Sequence, residues 1–389
     1  MIERASLKLL SQYLKAFPAV AILGPRQVGK TTLVKQIARQ LSKPAHYLDL
    51  ERSSDLQRLS RDAESYLESF QKECVIIDEI QRKPDLFPLL RSLIDQKRTA
   101  ARFIITGSAS PELLKGASES LAGRVAYLYL HPIGAHELPD RIPLAKHWLR
   151  GGFPSALLAK NNLILRQWLD SFITTYIEKD LPMLFDIRFS PSTMRKLWAM
   201  LAHLQGAILN IEKLASSLDV SGTTVKRYLD HLEGAFIIHR LPPFYTNIGK
   251  RLVKAPKIYL NDSGLLHALL RIESDKELLA HPSAGESWEG YVISQLLYAK
   301  KPRTDLYYYR TQAGAECDVV LAHGHEVKAC IEIKLSKAPV PTKGFHHSIA
   351  DLQSTRNFMI GTAPQDYLTK DNIRMVDLPT FISKYLPRL

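Results

Sequence analysis

The sequence has few cysteines, and their positions argue against a disulfide framework. Only three occur in 389 residues, Cys74, Cys317 and Cys330. Three thiols leave at least one unpaired, and their spacing is not that of metal ligands. Each lies in an apolar, strand-like run of sequence. We therefore expect buried free thiols in a reducing compartment.

Long apolar runs are also missing. No window contains the roughly eighteen uninterrupted apolar residues of a membrane-spanning helix. The first residues, MIERASLKLLSQYLKAF, carry charges throughout and lack the apolar stretch of a secretory signal. Internal repeats and low-complexity segments are absent as well. These absences predict a soluble, cytoplasmic protein without a membrane partner.

The charge is strongly one-sided. The formal net charge is +13 and the sequence pI is about 9.5. Such an excess favours an acidic partner, of which nucleic acid is the commonest, although solubility alone explains it equally well. The length exceeds that of one ordinary core and predicts two or three domains.

Residues 1–150 alternate short apolar runs with helical patterns. Strand-like runs include PAVAILG, AHYLDLE, ECVIIDEI, ARFIITGS and RVAYLYL, and the helical KTTLVKQIARQL follows the first of them. Nearly continuous apolar strands separated by helices predict an α/β fold with a parallel sheet covered on both faces.

A phosphate-binding loop follows the first strand. The pattern G-x-x-x-x-G-K-[ST] is matched between a strand and a helix, the context that such a loop requires. Its glycines allow backbone amides to wrap phosphates at the positive end of the helix dipole. We expect Lys30 to contact the outer phosphates of ATP and Thr31 to ligate Mg²⁺. The nucleotide-binding residues are Gly24, Pro25, Arg26, Gln27, Val28, Gly29, Lys30, Thr31 and Thr32.

The strand in VIIDEIQ ends in two carboxylates. In a parallel sheet, this edge is where ligands bind. Asp78 is predicted to hold Mg²⁺ and Glu79 to orient and polarise the attacking water. The structural alternative is that both residues cap the next helix.

Three further polar residues have two interpretations each. Ser108 follows the strand ARFIITGS and either reads the terminal phosphate or caps a helix. Arg124 is the first candidate for an arginine finger that completes a neighbouring subunit's site, or it is an ordinary ion-paired surface residue. Arg26 carries the same ambiguity.

The motifs GPRQVGKTTL, LDLE, VIIDEIQ, ITGSAS, LAGRV and GGFP resemble those of a bacterial and archaeal family of AAA-type ATPases. The resemblance extends over essentially the whole chain. It implies a P-loop NTPase parallel sheet, then a helical and winged-helix region, then a small α/β domain of the restriction-endonuclease type. It also implies ATP binding and a homo-oligomer such as a ring, which makes a finger acting in trans a reasonable expectation.

Residues 151–255 are predicted to form the helical and winged-helix domain. A short helix, a turn centred on Val220–Gly222 and a second amphipathic helix precede a strand, as in a winged helix-turn-helix. Basic residues interleaved with an aromatic favour contact with a nucleic-acid backbone, whereas the alternative is a protein-binding platform. The candidates are Lys226, Arg227, Arg240, Tyr245, Lys250, Arg251, Lys254 and Lys257.

Residues 256–389 contain a second set of carboxylates. Glu289 lies on a predicted helix, Asp318 on a strand, and Glu332 and Lys334 on the next strand as E-x-K. Positions two apart on a strand share a face. The order resembles a metal-dependent nuclease core, in which Glu289, Asp318 and Glu332 bind Mg²⁺ and Lys334 assists water attack. Glu316 and Arg310 are accessory candidates, and an ordinary charged strand face is the structural alternative.

Together these patterns predict an ATP-hydrolysing protein that binds and remodels or translocates DNA, in duplex or branched form. One alternative is an ATP-gated, metal-dependent nuclease. Another is a nucleotide switch that binds a protein partner.

Overall fold

The computed structural model describes residues 2–109, 121, 123–185, 189–245 and 252–389. Two compact units make up the chain: residues 1–133, 174–189 and 230–237 form the first, and residues 134–173, 190–229 and 238–389 form the second. The boundaries predicted at residues 150 and 255 stay predictions. Within the described ranges, no helix combines the length and apolarity needed to cross a bilayer.

The first unit is built on a five-stranded sheet. Its strands are β1 (Ala19–Leu23), β2 (Ala45–Asp49), β3 (Cys74–Asp78), β4 (Phe103–Gly107) and β5 (Val125–Tyr129). Their order is β2-β3-β4-β1-β5, and every neighbouring pair is parallel. Its labelled helices are α1 (Ser6–Ala16), α2 (Lys30–Ala38), α3 (Ser53–Arg61), α4 (Ala63–Glu68) and α5 (Leu86–Gln96).

Alternate residues of the strands enter two separate cores. Val20 and Ile22 of β1 pack in the cluster that contains Leu10 and Leu14 of α1. The intervening β1 residues pack in the other cluster, with Leu90 of α5 and its neighbours. Because strand side chains alternate between faces, apolar residues at every position bury both faces of the sheet. The predicted P-loop NTPase sheet is thereby confirmed.

Helices follow the first sheet along the chain. They include α6 (Leu144–Arg150), α7 (Pro154–Leu157), α8 (Asn162–Thr175), α9 (Pro191–His203), α10 (Ile211–Leu218) and α11 (Gly222–Gly234). Three residues separate α10 from α11, where the sequence predicted a turn. After α11, β6 (Ile238–Leu241) pairs antiparallel with β7 (Lys257–Leu260), and Ile208 forms an isolated bridge to Lys257.

A small mixed sheet completes the second unit. Its helices are α12 (Ser263–Leu269), α13 (Asp275–Ala280), α14 (Ala284–Ala299), α15 (Lys343–Leu352) and α16 (Leu378–Thr380). Its strands are β8 (Asp305–Arg310), β9 (Glu316–His323), β10 (Glu326–Ile333), β11 (Asn357–Gly361), β12 (Asp366–Leu368) and β13 (Ile373–Asp377). The order is β12-β13-β11-β10-β9-β8, parallel only at β10–β11 and β11–β13.

A tight hairpin joins β9 and β10, because β9 ends at His323 and β10 begins at Glu326. The three cysteines are buried and free, as their apolar neighbours predicted.

Candidate functional site

The loop between β1 and α2 depends on two glycines. A Cβ atom at Gly24 would lie 2.1 Å from the carbonyl oxygen of Leu130, so no side chain fits there. Gly29 has φ 101°, a left-handed conformation that side chains disfavour. The loop therefore presents bare backbone at both ends, as a phosphate cradle requires.

Lys30 starts α2 and is only 4% exposed. Its Nζ donates to the carbonyl oxygens of Gly24 and Pro25, both at 3.0 Å, and to Ser108 Oγ at 2.9 Å. In the part of the chain that the structure describes, none of its hydrogen bonds goes to a carboxylate. Burial lowers the pKa of Lys30, although Glu79 and Asp78 attract its charge. A buried ammonium with neutral partners is suited to bind an anion.

Asp78 ends β3, is 3% exposed and accepts hydrogen bonds from three hydroxyl groups. Thr31 Oγ1 donates to Asp78 Oδ2 at 2.8 Å, and the hydroxyls of Tyr47 and Thr106 also donate to this carboxylate. Burial and the bond to Asp78 raise the pKa of the Tyr47 hydroxyl. These are all oxygen donors, which Mg²⁺ prefers, so the residues fit the predicted cation.

Glu79 follows β3 with φ 61° and ψ 52°, an uncommon conformation for a residue with a side chain. Its backbone N–H donates to Thr106 Oγ1 at 3.1 Å. Its carboxylate accepts hydrogen bonds from Ser108 Oγ at 3.0 Å and from Gln81 Nε2. Strained residues of this kind cluster at functional sites. Ser108 thus connects Lys30 to Glu79.

Four contacts of this site were missed by the sequence reasoning. Tyr47 and Thr106 lie on the strands that flank β3, so only the strand order of the folded sheet places them beside Asp78. Gln81 lies two residues after Glu79. Arg4 donates to the carbonyl oxygens of Val28 at 3.0 Å and His131 at 2.6 Å, which fixes the loop from a distant point in the sequence.

Arg26, inside the loop, forms ion pairs with Glu51 at 2.8 Å and with Asp180. Asp180 ends the π-helical segment Tyr176–Asp180 and is 4% exposed. Burial raises the pKa of Asp180, although Arg26 acts in the opposite direction. Of the remaining predicted loop residues, Val28 is buried and Thr32 is exposed, and Gln27 has φ 61°.

Arg124 pairs with Asp95 of α5. Its Nε lies 2.6 Å from Asp95 Oδ1 and its Nη2 lies 2.8 Å from Asp95 Oδ2, a bidentate contact. This is the ion-paired arrangement that the sequence left open as the alternative. The role in trans stays a prediction.

The C-terminal carboxylates surround a lysine. Lys257 Nζ lies 3.2 Å from Glu289 Oε1, 3.3 Å from Glu316 Oε1 and 3.9 Å from Asp318 Oδ1. Tyr259 donates to Glu289 Oε1 at 2.5 Å. Burial alone would lower the pKa of Lys257, but the summed attraction of the carboxylates raises it. Burial and the neighbouring Glu289 raise the pKa of Asp318 to about 7. We call Lys257, Glu289, Glu316 and Asp318 the Lys257 cluster.

Glu332 and Lys334 share a face of the sheet, as predicted, with Nζ 3.2 Å from Oε1. The other oxygen of Glu332 accepts the backbone N–H of Thr342 at 3.1 Å. Among the described residues there is no group of three histidines, cysteines or acids arranged to hold a metal. Ammonium groups pair with the predicted ligands, Lys257 with Glu289 and Asp318 and Lys334 with Glu332, and their role as metal ligands stays a prediction.

The residues of the predicted basic surface differ in their exposure to solvent. Lys226 and Arg227 on α11 and Lys254 are exposed, whereas Arg240 is half-buried. Tyr245 is 56% exposed and donates to the carbonyl oxygen of Lys254 at 3.1 Å. Lys250 and Arg251 lie outside the described residues. Placing Lys257 on this surface was wrong, because its side chain is buried among acids.

Three family matches cover most of the chain. Residues 16–138 match the AAA domain, residues 142–276 match a domain of unknown function (DUF8612), and residues 284–381 match another (DUF4143). The first match agrees with the AAA-type sheet and loop described above.

Relatives extend over nearly the whole chain. It is 42% identical over 351 residues to the uncharacterized protein Rv2008c of Mycobacterium tuberculosis, covering 89% of this chain and 77% of the relative. Uncharacterized protein Mb2031c of Mycobacterium bovis matches with the same values. Among solved structures, the Walker-type ATPase PABY2304 of Pyrococcus abyssi has a TM-score of 0.46 at 15% identity, covering 69% of this chain and 96% of that one.

Proposed function

Because the chain belongs to the family that includes Rv2008c of Mycobacterium tuberculosis, and its first third matches the AAA domain, we propose that it is a magnesium-dependent ATPase coupled to DNA. ATP is the substrate, and hydrolysis of its terminal phosphate is the reaction. The contact chain from Lys30 through Ser108 to Glu79 is the observation that supports this proposal most directly.

That contact chain joins the groups that ATP hydrolysis needs. Lys30 carries the positive charge for the outer phosphates, and Glu79 is the acceptor that orients the attacking water. Ser108 touches both and is positioned to respond to the terminal phosphate between them. The strained backbone of Glu79, fixed by Thr106, holds the carboxylate at the end of β3.

Thr31 and Asp78 are the residues that would hold magnesium. When bound with ATP, the ion supplies positive charge that neutralises the phosphate oxygens. Tyr47 and Thr106 keep the Asp78 carboxylate oriented through their hydroxyl groups. The bare backbone at Gly24 and Gly29 would allow the phosphates to approach closely.

The test of hydrolysis is the Glu79→Gln variant. We expect ATP binding to persist, while steady-state turnover falls by about 10²–10⁴-fold, the usual contribution of a general base. The matched control is Glu64→Gln, since Glu64 is an exposed glutamate on α4 in the same unit. Turnover that survives Glu79→Gln would remove Glu79 from the catalytic role.

Arg124 is proposed to complete the site of a neighbouring subunit in a homo-oligomer. Mixing Arg124→Ala subunits with Lys30→Ala subunits tests this, because some interfaces then combine an intact loop with an intact arginine. Under this proposal, the mixture regains part of the activity that each variant lacks alone. A mixture as inactive as its components contradicts it.

Coupling to DNA is supported by the order of elements in the second unit. Helices α9, α10 and α11, followed by the β6–β7 hairpin, occur in the order of a winged helix, whose second turn-linked helix usually enters the major groove. Lys226 and Arg227 project from that helix into solvent, and Tyr245 and Lys254 are exposed near the hairpin. Lysine and arginine contacts to phosphates confer affinity that weakens with salt.

The first measurement is ATP turnover without DNA and with single strands, duplex or a branched junction. We expect one DNA form to stimulate turnover, and the double variant Lys226→Ala/Arg227→Ala to lose that stimulation and bind DNA with a shallower salt dependence. Its control, Lys276→Ala/Lys370→Ala, removes the same charge from exposed positions of the same unit. Turnover indifferent to every DNA would instead favour a switch that binds a protein partner.

A further inference from the structure

The Lys257 cluster brings together charged side chains from three elements of the second unit. Lys257 lies on β7, Glu289 on α14, and Glu316 and Asp318 on β9. The Lys257 side chain is 5% exposed and that of Asp318 is 10% exposed. Charges this deep require compensation, and here a lysine provides it in the place where the sequence predicted a divalent metal.

The ammonium holds the position to which the carboxylates point. Its contacts with Glu289 and Glu316, at 3.2 and 3.3 Å, are ordinary ion-pair distances. In a magnesium or calcium site, these carboxylate oxygens would have to lie about 2.0–2.6 Å from the metal ion. A second cation would also be repelled by the ammonium at this short range.

Lys257 is fixed by its backbone as well as by its charge. It pairs with Leu241 in the β6–β7 hairpin and forms the bridge to Ile208. Its ammonium also lies 5.7 Å from the ring centre of Tyr308. The Lys257 side chain therefore extends into the cluster from a strand whose backbone pairs with Leu241 and with Ile208.

One of the remaining carboxylate oxygens already has a partner, and a further cation lies beside the cluster. Asp318 Oδ2 accepts the backbone N–H of Ile333 at 2.8 Å. Glu316 Oε1 also lies 3.7 Å from Arg310 Nη1, which adds a second positive charge at the edge of the cluster. Glu332, the third predicted ligand, pairs with Lys334.

We infer that Lys257 is the resident cation of this cluster and that its ammonium takes the place of the divalent metal that the sequence predicted. The cluster then ties the β6–β7 hairpin to α14 and β9 without any metal. Its removal would leave three carboxylates converging on the space of the lost ammonium, which is a site for a hard divalent cation.

The experiment measures Mn²⁺ binding by electron paramagnetic resonance on the full-length, nucleotide-free protein. We expect the wild type to show no Mn²⁺ binding that depends on Asp318, so wild type and Asp318→Asn give the same titration. Lys257→Met should bind one additional Mn²⁺ in the cluster, at least about tenfold more tightly than the wild type binds Mn²⁺ there. This gain should vanish in Lys257→Met/Asp318→Asn. Lys254→Met, at an exposed lysine three residues away, is the control and should match the wild type.

Thermal unfolding supplies a second readout. Lys257→Met should unfold at a lower temperature than the wild type, and Mn²⁺ should restore part of the difference in this variant alone. Wild-type Mn²⁺ binding that disappears in Asp318→Asn would overturn the inference, and so would a folded Lys257→Met protein that gains no Mn²⁺. If Lys257→Met does not fold, the comparison of Mn²⁺ binding between wild type and Asp318→Asn still tests the inference. Lys257→Gln then repeats the gain-of-binding test.

Discussion

Lys30 in the first unit and Lys257 in the second are equally buried, each 4% exposed, but their charges meet different partners. Lys30 donates to two loop carbonyls and a hydroxyl, whereas Lys257 is paired with carboxylates. Burial lowers the pKa of the first, and surrounding acids raise the pKa of the second. A buried cation with neutral partners remains able to bind an anionic ligand, while one with acidic partners is already neutralised.

Replacing Lys30 tests the ligand-binding side of the comparison and should have the largest effect. Lys30→Met removes the charge proposed to contact the outer phosphates, so we expect turnover of ATP to fall by about a hundredfold or more. Steady-state hydrolysis and nucleotide binding by calorimetry measure this. Lys72→Met is the matched control and should retain turnover, because Lys72 is an exposed lysine of the same unit that lies outside the loop.

Replacing Lys257 tests the structural side. Lys257→Met leaves buried carboxylates without their cation, so we expect the free energy of unfolding to fall by about 3–5 kcal/mol, as measured for broken buried ion pairs. Urea unfolding monitored by tryptophan fluorescence measures the loss. The exposed Lys254→Met should unfold like the wild type, and an equally stable Lys257→Met would show that the ion pairs contribute little.

His267 is a third buried basic side chain and can be compared with Lys30 and Lys257. Its Nδ1 donates to the carbonyl oxygen of Leu149 at 2.8 Å, and its Nε2 accepts from Ser287 Oγ at 2.7 Å, so its partners are neutral like those of Lys30. Burial lowers the pKa of His267 to about 4. The unfolded chain, with a pKa of about 6.5, takes up the proton first as pH falls.

Stability linked to His267 is therefore present above pH 6.5 and is lost as pH falls toward 4. Between pH 7 and pH 5 this loss amounts to about 2 kcal/mol in the free energy of unfolding. His267→Gln has no group that titrates at this position. The difference in the free energy of unfolding between wild type and variant should therefore decrease by that amount from pH 7 to pH 5. Urea unfolding at pH 7, 6 and 5 measures this difference, and a constant difference would contradict the neutral burial of His267.

Thr106 offers the smallest and most local change at the ATP site. It is fully buried, donates to Asp78 and accepts from the backbone N–H of Glu79. Thr106→Val keeps the shape but removes both hydrogen bonds, so we expect turnover to fall by about tenfold, a typical penalty for losing such bonds. Thr223→Val, at an exposed threonine on α11, is the control. Unchanged turnover would mean that Asp78 and Glu79 are held without Thr106.

The prediction from sequence succeeded best where the pattern was local. The five strands of the first sheet were identified from apolar runs, and the loop from contiguous residues between β1 and α2. The contributions of Tyr47, Thr106 and Arg4 were missed because they reach the loop and Asp78 from other strands or from the N-terminus. Such contacts depend on strand order, β2-β3-β4-β1-β5, which apolar runs do not encode.

The second unit shows the same division more sharply. The shared face of Glu332 and Lys334 followed from strand periodicity. The position of Lys257 did not, because its partners Glu289 and Asp318 lie about 30 and 60 residues away in the sequence.

The sequence by itself determined the phosphate-binding loop, the carboxylates that end β3 and the apolar strands that bury both faces of the first sheet. These features depend on spacing within one segment, where a few backbone angles set the geometry. Only the tertiary structure decided which charges are compensated. Two of the three carboxylates predicted to hold a metal, Glu289 and Asp318, pair with Lys257, because the partner of a buried charge is set by packing between distant segments rather than by local pattern.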